Sequence, residues 1–464
     1  MADTILKNGT LVTSEERHRA DVVIRDGQIA AIELNATDGA DEIVDLDGLY
    51  VLPGLIHPHC HFRDPGLTHK EDFYTGQRAA AAGGYTFTID QTNTRPAPTN
   101  LENWNAKRER AEKLCILDHN HYAAARYPEH IAELAETGAI GFKIFNTRHP
   151  TDTYPYDNEL AVTDRGLLFE LYERIAETDL PVSVHHDQSD WVKRMAEREY
   201  IDPGTTTASD LHEAYDRGIL YGHGMVMGLA ASLYLARLTG VELYVLHAGM
   251  MKEYDYELIR HAREQGQTVH AELELLPFMI DEERRAEHGP YAVVSGKDPE
   301  RAAELIREGW ATTMVNEHAP HTPEELEPGW EDAWNIPLAL MGAQEHLPHV
   351  LTWVNEGRFE LEDIVRLEAE NPARIFGLYP RKGSLQVGTD ADFTVVDMDR
   401  QREFTESMVE SKSGWTLFDG ETFTGWPVRT MVRGETVMVD GEIVAEKGSG
   451  KFVPREDCSA RGAV

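Results

Sequence analysis

The sequence predicts an α/β protein: a (β/α)8 barrel of the TIM type, joined to a small β-sandwich built from both chain ends. Two observations point to this fold class. Eight strand-like apolar runs alternate with amphipathic or alanine-rich stretches in the middle of the chain, and short strands with turn signals occupy both ends. Alternating βα units with eight strands indicate a parallel barrel covered by helices. The length of 464 residues leaves room for the second domain.

The two ends of the chain share the same pattern of short strands. Asn8-Gly9, Asp26-Gly27 and Asp440-Gly441 are strong hairpin signals within them. Ends of similar character can pair into one small sandwich. We therefore expect residues 1–54 and 377–464 to form the sandwich and its C-terminal tail, with the barrel of residues 55–376 inserted between them.

Each barrel strand is assigned to an apolar run bounded by polar or turn residues. The eight predicted segments are 55–61, 85–90, 116–122, 140–145, 181–186, 242–247, 268–273 and 311–316. Between them lie helix-like stretches such as EDFYTGQRAAAAGG, TDRGLLFELYERIAE and DYELIRHAREQG. The middle of the chain is thus assigned to eight βα units.

Two histidines end the first predicted barrel strand. His59 and His61 close the run VLPGLIHPHCH, and residues i and i+2 of a strand face the same side, so both rings project together with Arg63. The carboxyl ends of barrel strands meet at one mouth. His-x-His in that position suits a divalent metal ion. Two loop histidines bonded to backbone carbonyls are the alternative.

Three further polar side chains stand where other apolar runs stop. His185 lies in PVSVHH, His247 ends ELYVLH, and Glu317 follows TTMVN. Imidazoles and a carboxylate from separate strands would meet at the same mouth, which predicts a metal-dependent hydrolase. A single histidine at a strand end is also compatible with a structural role in the core.

Lys143 is unusual because the run GAIGFKIF is apolar on both sides of it. Burial disfavours the charged form of a lysine. A salt bridge to a buried carboxylate would resolve this. The other solution is a neutral amine that takes up carbon dioxide as a carbamate, whose two oxygens can bridge two metal ions. The residues alone leave both solutions open.

The composition is strongly acidic. The chain has 81 acidic and 44 basic residues, 12 of them lysine, and a net charge of −37. Such a charge opposes binding to nucleic acid and to anionic membranes. Because high ionic strength screens self-repulsion, an acid-rich, lysine-poor chain suggests a halophilic protein. Three scattered cysteines, no signal pattern and no membrane-spanning apolar run predict a cytoplasmic location.

A set of motifs between about residue 5 and residue 445 is highly specific: PGLIHPHCHFRDPGLTHKEDF, QTNTRP, GFKIF, EHAPHTPEE, ENPARIFGL, KGSLQVGTDADFTVVD and SKSGWTLFDG. They resemble the cyclic amidohydrolases, which include dihydroorotase, hydantoinase (dihydropyrimidinase) and allantoinase. The resemblance implies a barrel with a flanking sandwich and two divalent metal ions, usually zinc, that support hydrolysis of a cyclic amide. It also implies a homo-oligomer, a dimer or a tetramer.

The resemblance also assigns roles to the metal-site residues. His59 and His61 match the ligands of the first metal, Lys143 the bridging carboxylated lysine, and His185 and His247 the ligands of the second metal. Glu317 stands where the family has an aspartate that serves as ligand and proton relay. His57 replaces another family aspartate, two residues before the first ligand.

Substrate choice rests on a second set of positions. In dihydroorotases an arginine, an asparagine and a histidine hold the substrate carboxylate, and this chain has Arg63, Asn93 and His321 at those places. For Arg63 the alternative is a structural salt bridge to Asp64 or Glu71. We therefore expect interconversion of dihydroorotate and N-carbamoyl-aspartate, a step of pyrimidine biosynthesis. The alternatives are a hydantoinase, dihydropyrimidinase or allantoinase, and, from another class, an inactive structural homologue.

Overall fold

The structure, a computed structural model, describes residues 2–37, 39–148, 160–250, 253–294 and 296–455. A central parallel barrel and a mostly β second domain make up the fold, as the sequence predicts. Residues 456–464, the end of the predicted C-terminal segment, lie outside the described part of the chain.

Seven short strands precede the barrel: β1 (Ala2–Lys7), β2 (Thr10–Val12), β3 (Arg17–Arg19), β4 (Asp21–Arg25), β5 (Gln28–Glu33), β6 (Ala40–Asp45) and β7 (Tyr50–Pro53). The hairpin predicted at Asp26-Gly27 is confirmed, since β4 and β5 pair antiparallel. The one predicted at Asn8-Gly9 is wrong: β1 and β2 belong to different sheets. The chain crosses between sheets there because Leu6 and Leu11 are both buried in the core that the sheets share.

Nine strand segments form the barrel: β8 (Leu55–Cys60), β9 (Tyr85–Asp90), β10 (Asp118–His121), β11 (Ala123–Ala124), β12 (Phe142–Asn146), β13 (Val182–His186), β14 (Leu243–Val245), β15 (Val269–Glu274) and β16 (Thr313–Val315). Parallel pairing runs from β8 to β10 and from β11 to β16, so β10 and β11 are two parts of one barrel strand. A parallel bridge between Cys60 and His318 joins the last strand to the first. Each predicted segment overlaps one of these strands.

Fifteen α-helices are described: α1 (Phe73–Ala82), α2 (Leu101–Leu114), α3 (Ile131–Ala135), α4 (Arg165–Ala176), α5 (Ser189–Ala196), α6 (Ala208–Asp216), α7 (His223–Thr239), α8 (Glu253–Glu264), α9 (Leu276–Met279), α10 (Glu282–His288), α11 (Pro299–Arg307), α12 (Pro323–Leu326), α13 (His346–Asn355), α14 (Leu361–Val365) and α15 (Asn371–Ile375). Side-chain caps set the start of several; the Asp72 carboxylate accepts from the amides of Tyr74 and Thr75 before α1. No helix in the described ranges is long and apolar enough to cross a bilayer.

The C-terminal strands β17 (Phe393–Glu403), β18 (Thr422–Val432), β19 (Glu435–Val439) and β20 (Glu442–Ile443) complete the second domain. β17 pairs antiparallel with β7, which places strands from both chain ends in one seven-stranded sheet of order β20-β19-β18-β17-β7-β2-β3. β19 and β20 confirm the hairpin predicted at Asp440-Gly441. A four-stranded sheet of order β5-β4-β1-β6 shares an apolar core with it, so the predicted sandwich of both ends is present.

Candidate metal centre

The two histidines at the end of β8 are buried, and their Nδ1 atoms are held by neighbouring side chains. His59 Nδ1 donates to Glu272 Oε1 at 2.8 Å, and His61 Nδ1 donates to Asn93 Oδ1 at 2.6 Å. A neutral imidazole that donates from Nδ1 carries its lone pair on Nε2. Both Nε2 atoms are buried without a hydrogen-bond partner among the described residues, and both face Glu317.

The Glu317 carboxylate lies between three of the predicted histidines. Its Oε1 is 2.8 Å from His61 Nε2 and 3.6 Å from His59 Nε2, and its Oε2 is 3.4 Å from His247 Nδ1. Burial alone would raise the pKa of Glu317. The electrostatic effect of the three histidines is larger, so the pKa of this carboxyl lies well below its ordinary value.

His185 and His247 come from the ends of adjacent strands and touch each other. His185 Nδ1 is 2.9 Å from His247 Nε2. His247 has a left-handed backbone with φ of 59°, which is uncommon for a residue other than glycine. The following turn rests directly on β15: a Cβ at Gly249 would lie 2.0 Å from the backbone oxygen of Glu274. Burial lowers the pKa of both histidines well below the ordinary value.

Lys143 is 1% exposed at its place in β12. Its Nζ has no hydrogen-bond partner in the described part of the chain, and no ion pair joins it to a carboxylate there. Its Nζ lies over the ring of Phe145, 4.5 Å from the centroid. Burial lowers the pKa of Lys143 to about 7, although the charges of Glu317 and Glu272 act in the opposite direction. The salt-bridge alternative for this lysine therefore has no support in the geometry.

Two buried glutamates on β15 are functional candidates that the sequence analysis missed. Glu272 accepts from His59 and, at 3.0 Å through Oε2, from the Tyr244 hydroxyl. Glu274 Oε2 accepts from the amide of Glu317 at 2.9 Å. Burial and the charges of Glu317 and Glu272 raise the pKa of Glu274 well above its ordinary value. The alternating pattern HAELEL could have identified them, because it places both carboxylates on one face of a strand.

The predicted substrate residues form a buried polar group next to the histidines. Arg63 Nη2 donates to His321 Nε2 at 3.1 Å, and His321 Nδ1 lies 3.3 Å from Glu325 Oε2. Lys70, which the sequence analysis missed, lies 3.0 Å from His321 Nδ1 and 2.7 Å from Glu325 Oε1. Burial lowers the pKa of Lys70 to about 8. Asn93 lies instead with the histidines, because its Oδ1 accepts from His61. Its Nδ2 has no hydrogen-bond partner among the described residues.

The acidic residues proposed as alternative partners of Arg63 are engaged elsewhere. Asp64 forms an ion pair with Arg110, and Glu71 accepts from the Ser411 hydroxyl and lies 3.5 Å from His318 Nε2. His57 lies on the side of the site away from the mouth. Its Nδ1 accepts from the amide of His59, and its ring is 4.7 Å from that of Tyr85. His57 thus brings no carboxylate to the family's aspartate position.

A narrow cavity adjoins Glu317. It is lined by aromatic and apolar side chains: Tyr215, Tyr221, Met250, Val293, Ala319, Leu338 and Leu340. The rings of Tyr215 and Tyr221 are stacked, with centroids 5.6 Å apart. The Tyr221 centroid is 5.8 Å from those of both His185 and His247. The histidine pair therefore has one aromatic wall.

The donor atoms fit a divalent metal ion. Three groups each bring their ligand atoms within 4.8 Å of one another: His59, His61 and Glu317; His59, His247 and Glu272; His247, Glu274 and Glu317. Buried imidazole nitrogens without partners and carboxylate oxygens are the ligands that zinc and similar ions take. His185 and Lys143 lie beside these groups and are not members of them. The described residues thus offer more than one position for an ion.

Comparison with known proteins gives one consistent result. An L-hydantoinase of Paenarthrobacter aurescens is 33% identical, over 99% of this chain and 100% of the relative. A dihydroorotase of Methanothermobacter thermautotrophicus is 32% identical over 95% of each chain, and an allantoinase of Solibacter usitatus 30% over 100% of each. The solved L-hydantoinase (dihydropyrimidinase) from Arthrobacter aurescens has a TM-score of 0.91 at 32% identity, covering 98% of this chain and 100% of that one.

The family model agrees with these relatives. Residues 50–437, which include the whole barrel, match the model described as Amidohydrolase family. The match confirms the resemblance inferred from the motifs, and the barrel mouth with its buried histidines and glutamates is where such an enzyme has its chemistry. This chain is an enzyme of the amidohydrolase family.

Proposed function

We propose that the protein hydrolyses the ring amide of a cyclic ureide that carries a carboxylate, with dihydroorotate as the substrate and N-carbamoyl-aspartate as the product, and that it also catalyses the reverse reaction. The observation that carries this proposal is that the same two chain segments supply two buried groups: His61 lies 2.8 Å from Glu317, while Arg63, two residues after His61, donates to His321, four residues after Glu317. The group around Glu317 suits cleavage of the amide bond, and the pair of Arg63 and His321 suits binding of a substrate carboxylate.

The residues would hold two divalent ions. His59 and His61 supply imidazole nitrogens for the first and suit zinc, while His247 with His185 serves the second. Bound ions would polarise the amide carbonyl and lower the pKa of water toward neutrality. Lys143 would carry a carbamate. Its burial, its missing ion pair and its lowered pKa support that role, because a neutral amine is the form that reacts with carbon dioxide.

Glu317 would move the proton. Its carboxylate takes a proton from the attacking water as the new C–O bond forms. It then delivers this proton to the ring nitrogen as the C–N bond breaks. Glutamate is one methylene longer than the family's aspartate. The distances from its two oxygens to His61 and His247, 2.8 and 3.4 Å, support a site that accommodates this length.

A second candidate substrate class is an uncharged ring such as a hydantoin. The wall beside Glu317 favours it, because the side chains of Tyr215, Tyr221, Leu338 and Leu340 there are aromatic or apolar and would pack against an uncharged ring. The 33% identical relative named L-hydantoinase points the same way. The two candidate substrates differ in one requirement. Only the carboxylated ring needs a positively charged side chain to bind it.

The test is a substrate panel of dihydroorotate, dihydrouracil, hydantoin and allantoin, assayed in high salt with wild type and Arg63→Met. We expect the variant to lose roughly 2–4 kcal/mol of transition-state binding for carboxylated rings and little for uncharged ones. Metal content should not change. Arg400→Met, which removes a partly exposed arginine paired with Asp440, is the control and should behave as wild type. A wild-type preference for hydantoin or dihydrouracil would replace the first candidate with the second.

A further inference from the structure

Glu274 is a fully buried carboxylate with an unusual set of neighbours. Its Oε2 accepts from the Glu317 amide, while its Oε1 has no hydrogen-bond partner among the described residues. No lysine, arginine or histidine of the described chain forms an ion pair with it. A buried carboxylate without a cation is costly, so such groups are paired or bind metal.

The open oxygen has ligand atoms close by. A carboxylate oxygen of Glu274, a ring nitrogen of His247 and a carboxylate oxygen of Glu317 all lie within 4.8 Å of one another. His247 Nδ1 is also buried without a hydrogen-bond partner in the described residues. Two residues of separate strands, each with one buried unpaired atom, thus lie within reach of a single ion.

We propose that Glu274 is a further ligand of the second metal ion, together with His247 and Glu317, and that it makes this position prefer a hard divalent cation such as Mn²⁺. The inference rests on the proposed metal centre and deepens it. It assigns a role to a residue outside the ligand set that the motifs imply.

Charge balance supports this assignment. With both ions bound, which favours the ionised form of Glu274 despite its burial, and with Lys143 carboxylated, the buried groups would carry four negative charges, one each on Glu272, Glu274, Glu317 and the carbamate. Two divalent ions bring four positive charges. Since a buried site tolerates little net charge, Glu274 completes a neutral centre.

Ligand type decides which ion is preferred. The second position gains a carboxylate oxygen, so that Glu274 and Glu317 would supply oxygens beside the imidazoles of His247 and His185. Oxygen ligands suit Mn²⁺, whereas the histidine-rich position at His59 and His61 suits zinc. The two positions should therefore differ in metal selectivity.

The experiment is titration of metal-free protein with Mn²⁺ and with Zn²⁺, followed by calorimetry and by metal analysis after dialysis. Glu274→Gln keeps the hydrogen bond to the Glu317 amide but loses the charge. We expect its Mn²⁺ affinity to fall at least about 10-fold at one of two sites, with a smaller loss for Zn²⁺. Glu368→Gln is the matched control, because Glu368 is equally buried but bonded to His346 instead. It should bind both ions as wild type does.

The results of these titrations separate the role of Glu274 from the metal centre as a whole. Equal Mn²⁺ binding by wild type and Glu274→Gln would overturn the role of Glu274 and leave the metal centre standing. If wild type binds neither ion, the metal-dependent function fails and this inference with it. If Glu274→Gln does not fold, a crystal of Mn²⁺-loaded wild type decides: a Glu274 oxygen about 2.0–2.3 Å from the ion supports the proposal, and one beyond about 4 Å overturns it.

Discussion

At the scale of single residues, the length of one side chain matters most for the proposed chemistry. Glu317 is a glutamate where the family has an aspartate, and the added methylene would displace a carboxylate by about 1.5 Å if nothing else moved. A misplacement of about 1 Å can cost on the order of 100-fold in rate. Here the carboxylate still lies within 4 Å of His59, His61 and His247. We propose that the surrounding histidines are placed for the longer side chain.

Glu317→Gln should lower turnover at least ~100-fold while metal stays bound, since the amide keeps a ligand oxygen but cannot take a proton. Steady-state assays and metal analysis of the same preparation measure both quantities. Normal turnover in this variant would show that another group moves the proton.

Glu317→Asp is the companion variant. If the histidines are placed for glutamate, aspartate should be the slower enzyme despite being the usual residue of the family. A strong gain in activity would instead mean that the natural protein is a weak catalyst.

At the scale of secondary-structure elements, one buried ion cluster ties the barrel to the sheet. Lys382 Nζ lies 2.6 Å from Asp118 at the start of β10, 2.9 Å from Asp390 and 2.6 Å from Asp392 just before β17. Arg433, after β18, also pairs with Asp118. The three aspartates could hold a metal by their spacing alone, but the lysine ammonium already occupies the space between them.

Lys382→Met should destabilise the protein by about 3–5 kcal/mol, because it leaves three buried carboxylates short of a partner. Urea unfolding in high salt, followed by tryptophan fluorescence, gives the change. Lys412→Met is the control: that lysine is 38% exposed and 3.1 Å from Asp72, so its loss should cost only about 0–1 kcal/mol. Equal effects of the two substitutions would refute the structural role of the cluster.

The barrel strands also show how much of the fold and of the site could be predicted from the sequence. Barrel strands such as β14 are buried on both faces, so they appear as continuous apolar runs and all eight were located. The β15 carboxylates were missed for a physical reason. Alternation of polar and apolar residues usually marks a strand with one face in water, and only closure of the barrel turns Glu272 and Glu274 inward. Lys70 follows no periodic pattern, because it lies in a loop that tertiary contacts alone place beside His321.

At the scale of the whole molecule, charge is the dominant property. The net charge of −37 is spread over one compact chain, and its self-repulsion opposes folding wherever salt is low. The screening length shrinks from about 10 Å at 0.1 M salt to about 3 Å at 1 M. We propose on this basis that the protein is halophilic.

The melting temperature should rise between 0.1 and 2 M KCl by roughly 2–3 °C, the shift that about 2–3 kcal/mol gives when the unfolding entropy is about 2.1 cal/mol/K per residue over 464 residues. Scanning calorimetry across a KCl series measures it. Sucrose at matched osmolality separates screening from general exclusion effects, since sucrose stabilises without screening charge. A melting temperature that does not respond to KCl, or responds equally to sucrose, would contradict the halophilic assignment.

The β-bridge between Cys60 and His318, which closes the barrel, affects the order in which the site is assembled during synthesis. The parts of the site come from opposite ends of the barrel: Arg63 and His321 are 258 residues apart. At about 5–20 residues per second, Arg63 leaves the ribosome roughly 13–50 s before its partner. During that interval the first histidines belong to an open, unfinished sheet. If the proposed ions bind at this site, only a completed chain offers them the full set of ligands.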